Sequence, residues 1–86
     1  MNIIYKELIK KYINNLTIND IKKYAISKNE ILTNEEATII YNYIKKYHQE
    51  LLNKNTNSFI ILKQNLRKEL FNKITLLYNE YASKYI

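Results

Sequence analysis

The 86 residues include no glycine, no proline and no cysteine, and 14 Lys and Arg outweigh 8 Asp and Glu to give a formal charge of +6. Lack of the first two removes the residues that tight β-turns require and leaves helix interiors unbroken, so the chain reads as all-α. Lack of the third excludes disulfides and thiolate metal sites, and the length allows one domain with a modest stability margin that a partner or self-association would raise.

In chain order, the first helix is expected over residues 2–14, where Ile4, Tyr5, Leu8, Ile9, Tyr12 and Ile13 share one apolar face. Asn14-Asn15 should end it, because Asn tolerates the left-handed conformation of many helix exits. A second helix over 18–27 places Ile18, Ile21, Tyr24 and Ala25 on one side, and a third runs over 34–52. Both start with the same signature: Thr17 with Asp20, then Thr33 with Glu36, each a threonine followed three residues later by a carboxylate, the spacing of a capping box. Leu16 and Leu32 precede the caps and can staple onto Ile21 and Ala37.

The third helix carries two apolar stripes. Ala37, Ile40, Tyr41, Ile44, His48 and Leu51 form the first, and Ile39, Tyr43 and Tyr47 the second. Such a helix is either central, contacted from two sides, or partner-facing; the central reading is favoured because large exposed apolar areas are uncommon in monomers. After a polar loop over 53–58, with Thr56 or Ser58 as a cap, one long helix is expected over 59–85 along Phe59, Leu62, Leu66, Leu70, Ile74, Leu77 and Tyr81. At about 39 Å it would outreach its neighbours, so it should bend near Thr75 or lie on a second copy. The architecture is therefore a small four-helix bundle with a long C-terminal helix.

Catalytic chemistry finds little support. His48, the sole histidine, sits on the core stripe with no nucleophile beside it, and a satisfied imidazole explains it. Glu35 and Glu36 belong to a first turn, where capping and the helix dipole account for them. No Asp-rich loop, Glu-x-x-His pair or glycine-rich phosphate loop occurs, so no enzyme activity, metal, cofactor or small-molecule substrate is expected. The charged start lacks the apolar run of a secretory signal, and the longest such run, over 59–62, cannot span a bilayer. A soluble cytoplasmic protein is the resulting expectation.

The basic balance has two readings. Asn, Ile, Lys and Tyr make up more than half of the chain, and their A- and T-rich codons would raise lysine content without selection for phosphate contact. Alternatively, the doublets Lys10-Lys11, Lys22-Lys23, Lys45-Lys46 and Arg67-Lys68 could bind nucleic acid non-specifically through a helix-loop-helix. The acidic first turn of the third helix opposes this.

The segment INNLTINDIKKYA followed by ILTNEEATIIYNYIKK resembles the YqfT-like family, short helical proteins of low-GC Gram-positive bacteria built on a domain of unknown function. The matching elements are Leu16, Thr17, Asp20, Ile21, Tyr24 and Ala25, then Thr33, Glu35 and Ala37. The unbroken stripe after residue 59 departs from the family, where a break is expected. The resemblance implies a small intracellular helical protein and transfers no active site. The leading functional expectation is a binding or regulatory module acting through protein contact, which includes a homodimer. Its surface would be Ile39, Tyr43 and Tyr47 with Lys46, or Ile60, Phe71 and Tyr78. Non-specific nucleic-acid binding is the alternative.

Overall fold

The structure, a computed structural model, describes residues 3–85. Five helices follow in order: α1 (Ile3–Asn14), α2 (Ile18–Ser27), α3 (Asn34–Leu52), α4 (Phe59–Asn65) and α5 (Lys68–Tyr85), with no strand among the described residues. The chain is thus all-α, and α2 and α3 have the expected bounds; the expected start of the first helix at residue 2 lies outside the described residues.

Both capping boxes are formed. The Asp20 amide donates to Thr17 Oγ1 at 3.1 Å while the Thr17 amide donates to Asp20 Oδ2 at 3.0 Å. Glu36 and Thr33 exchange the same pair of bonds at 3.0 Å each. Each box satisfies two amides that a helix start otherwise leaves without partners. The staples form too: Leu16, Ile21 and Ala37 make one buried cluster, with Leu32 packed against it.

Without glycine, the helix exits use other residues. After α2, Asn29 takes φ 64°, the Asn29 amide donates to Ile26 O and the Glu30 amide to Ala25 O. After α3, Lys54 takes φ 59°, with its amide on Leu51 O and that of Asn55 on Glu50 O. These are two Schellman motifs. No positive φ occurs at Asn14 or Asn15, contrary to expectation. Instead the Asn15 side-chain amide donates to Lys11 O at 3.1 Å, and Lys45 Nζ from α3 donates to Ile13 O and Asn14 O at 2.6 and 3.1 Å. A cation on the last carbonyls of α1 suits the negative end of the helix dipole and ties α1 to α3.

Helix α3 is central. Its first stripe meets α1 and α2 in the cluster around Ala37, which is fully buried. Its second stripe builds the other cluster, in which Tyr43, Leu62, Leu66 and Leu70 are buried and Ile39, Tyr47, Phe59 and Phe71 pack around them. Ser58 precedes α4 but makes no side-chain cap bond, and its hydroxyl lies 2.7 Å from Tyr43 Oη inside the core. The expected cap is thereby replaced by a buried polar pair.

The long C-terminal helix is two helices. Leu66 is extended, at φ −119° and ψ 153°, and α5 begins two residues later. No bend occurs at Thr75, whose hydroxyl donates to Phe71 O within an unbroken α5. Leu and Arg are good helix formers, so nothing local explains the break. Tertiary contacts do: Leu66 is buried in the core, and Arg67 Nε and Nη2 donate to Glu36 and Glu30 at 2.8 and 3.0 Å. Lys73 Nζ adds a contact to Glu30 at 3.9 Å.

Candidate functional site

The break at Leu66 sets the direction in which α5 leaves α4, and with it the main surface feature. The first half of α5 is anchored: Leu70 is buried, Phe59 meets the rings of Phe71 and Tyr78 at 6.3 and 5.4 Å, and Tyr78 Oη donates to Leu51 O at 2.5 Å. Its second half runs opposite α1 and α2 and meets α1 at its end, through Tyr85 and Tyr5. Between them, above α3, lies an apolar groove of about 640 Å³. Its floor includes Ile40, Ile44 and Leu51; one wall is Leu8, Ile9, Ile21 and Ala25, the other Ile74 and Leu77.

The α1 stripe expected to pack in the core is consequently left uncovered. Only Ile13 of that face is buried, while Tyr5, Leu8 and Tyr12 remain 46, 58 and 62% exposed. An enclosed void of 640 Å³ would cost about 15 kcal/mol at roughly 24 cal/mol per Å³, as much as the whole stability of a small domain. The groove must therefore be filled through its open side, by solvent or by a partner.

Tyrosines mark its edge. The rings of Tyr5 and Tyr85 meet edge-on at 5.7 Å, joining α1 to the end of α5, and Tyr81 lies 4.8 Å from Tyr85. Burial, then the neighbouring Tyr85 and Tyr24, holds the Tyr81 phenol above its ordinary value, and Tyr24 of α2 lines the same groove. His48 lies in the lining, with Nδ1 3.2 Å from the carbonyls of Ile44 and Lys45. Among the described residues no buried side-chain nitrogen or oxygen lacks a hydrogen-bond partner. The groove lining is mostly apolar, with Asp20, Lys28, Glu30, His48, Lys73 and the tyrosine hydroxyls as its polar members.

Of the two candidate partner surfaces, the Ile39, Tyr43 and Tyr47 stripe lies within the monomer, in keeping with the central reading of α3. Tyr43 is only 5% exposed, with Tyr47 and Phe59 at 5.2 and 6.4 Å, and burial holds its phenol above the usual value. Ile39 and Tyr47 pack half-buried beside it, because the second stripe of α3 is the seat of α4 and α5. Lys46 is exposed, its ammonium 5.4 Å from the Tyr47 ring. The other stripe is divided by the helix break: Ile60 points outward at 58% exposure, whereas Phe71 packs on the core and Tyr78 bonds to Leu51.

The basic doublets lie on separate elements, and one member of each is occupied. Lys10 approaches Glu7 at 3.8 Å, Lys22 bonds to Asn34, Lys45 holds the end of α1, and Arg67 joins Glu30 and Glu36. Lys11, Lys23 and Lys68 are exposed. Glu36 is the anchor of this arrangement: its amide bond from Thr33, then Arg67, holds the carboxyl below its ordinary value.

Sequence reasoning missed the groove because it looked for the uncovered apolar surface on the third and last helices and not on α1. The surplus of apolar positions on α1 was the available signal. Comparison with known proteins finds no matching family model, curated protein or solved structure. Among the described residues no helix is long and apolar enough to cross a membrane, and no group of three or more His, Asp or Glu could hold a metal ion.

Proposed function

We propose that the protein is a cytoplasmic, non-catalytic docking module whose groove receives an amphipathic helix of a protein partner, apolar towards α3 and acidic outside. The carrying observation is the groove itself: about 640 Å³ of open apolar space edged by half-exposed tyrosines. A small ligand is normally oriented by a few convergent polar groups, and here Asp20, Glu30 and Lys73 of the lining are already engaged, Asp20 with the Thr17 amide and Glu30 with Arg67 and Lys73. A helix asks only for an apolar trough. The apolar lining is drawn from four helices, through Leu8 of α1, Ile21 of α2, Ile44 of α3 and Leu77 of α5. The formal charge of +6 favours an acidic outer face on the partner and would speed its approach.

The test is a titration followed by amide and tyrosine NMR signals, using a synthetic helical peptide with leucines at helical spacing and glutamates elsewhere. Signals of Tyr5, Leu8, Tyr24 and Tyr81 should shift together. The Leu8→Asp variant should stay folded and bind at least roughly tenfold more weakly, since an uncovered leucine contributes about 1.5–3 kcal/mol. Equal binding of the peptide with lysines in place of glutamates would remove the charge argument. Palmitate binding more tightly than either peptide would replace the helix by an acyl chain.

A further inference from the structure

The break between α4 and α5 has an alternative that the sequence supports and the monomer does not use. Leu66 and Arg67 are helix formers with no glycine or proline nearby, and the apolar stripe continues in register from Leu62 through Leu66 to Leu70. What keeps the backbone extended at Leu66 is tertiary: its own burial and the pairing of Arg67 with Glu30 and Glu36. A straight helix over residues 59–85 would be about 40 Å long at ~1.5 Å per residue. That exceeds the 34 Å long axis of the whole molecule, so α5 would have to leave its own body.

We infer that the chain forms a dimer by exchanging α5 between two copies, with α4 and α5 straightened into one continuous helix. The occupant is fixed by shape: the seat vacated on α3 of a second copy matches the Leu70, Ile74 and Tyr78 face, because it is the seat that face occupies in the monomer. Exchange is reciprocal, so the assembly closes with two-fold symmetry. Each groove then takes one wall from α1 and α2 and the other from the second chain, so that Tyr24 shares its groove with Tyr81 of the partner subunit. The contacts of Tyr78 with Leu51 survive the exchange, whereas those at Arg67 lie at the straightened hinge and hold the monomer closed.

The experiment is light scattering on the full chain refolded from denaturant at low and high concentration, in three forms. Wild type should show a species of twice the 10.4 kDa monomer mass, more abundant at high refolding concentration. Arg67→Ala should increase that fraction several-fold. Lys68→Pro should abolish it and remain helical, because proline suits the first position of α5 but removes an amide that a continuous helix needs. In the wild-type dimer, isotope-filtered NOEs between a labelled and an unlabelled chain should connect Tyr78 with Leu51. Mass at the monomer value throughout overturns the inference. So does a Lys68→Pro dimer equal to wild type, or a dimer without the Tyr78 to Leu51 NOEs, and the latter reading does not depend on how Lys68→Pro folds.

Discussion

Replacing Tyr43 with Phe removes one oxygen from the middle of the protein, and its cost can be worked from the pair it breaks. Tyr43 and Ser58 are 5 and 7% exposed, with their hydroxyls 2.7 Å apart. Tyr43→Phe leaves the Ser58 hydroxyl buried without this partner, and Ser58→Ala does the same to the phenol. Each single change should cost about 1–3 kcal/mol, mostly the penalty of an unpaired buried polar group rather than the net value of the bond. The double replacement leaves neither group, so it should cost clearly less than the sum of the singles, by roughly 1 kcal/mol or more. Urea unfolding of all four proteins measures this, with an unchanged m-value showing that the folded and unfolded states have kept their compactness. For a domain of this size each kcal/mol should also move the thermal midpoint by about 4–8 °C. Strict additivity of the two singles would show that the hydroxyls do not interact and would refute the pairing of Tyr43 with Ser58.

Lys54→Gly should stabilise the protein by about 1 kcal/mol in the same assay, because glycine accepts the left-handed conformation that lysine holds at φ 59° without a Cβ penalty. Thr33→Ala should destabilise it by about 1 kcal/mol through loss of the side-chain half of the second capping box. On the acid side, the lowered Glu36 pKa means that its contribution is fully present above the ordinary 4.5 and is lost as pH falls through the folded value; in Glu36→Gln the urea midpoint should vary less with pH in that window. On the alkaline side, burial holds Tyr43 and Tyr78 above 10.0, so their contribution is present below 10.0 and lost as pH rises through the folded values; tyrosinate absorbance should then rise together with loss of helix.

The parts of this fold legible in the sequence are those governed by residues a turn apart. Thr17 with Asp20 and Thr33 with Glu36 announce two helix starts because the bonds they make span three residues, and no distant contact competes with them. The central role of α3 was legible for a similar reason: two apolar stripes on one helix require two sets of neighbours. The break at Leu66 was not legible. Its causes, Glu30 and Glu36, lie 37 and 31 residues before Arg67, and the local residues favour continuing the helix. The bare α1 face of Tyr5, Leu8 and Tyr12 depends on where α5 lies, and Ser58, which its place after a polar loop marks as a cap, pairs with Tyr43 instead. The candidate site was thus hidden not by weak signals but by an angle that only packing sets.

The bonds from Lys45 to the end of α1 bear on the order in which the chain assembles. They join a helix to its next-but-one neighbour, so α1, α2 and α3 can condense from contacts close along the chain, where loop closure costs least. The closure of α5 onto Glu30 and Tyr5 spans longer loops and is expected to come afterwards. Substitutions in α5 should then hasten unfolding while leaving the folding rate nearly unchanged, and hydrogen exchange should begin at that end of the molecule.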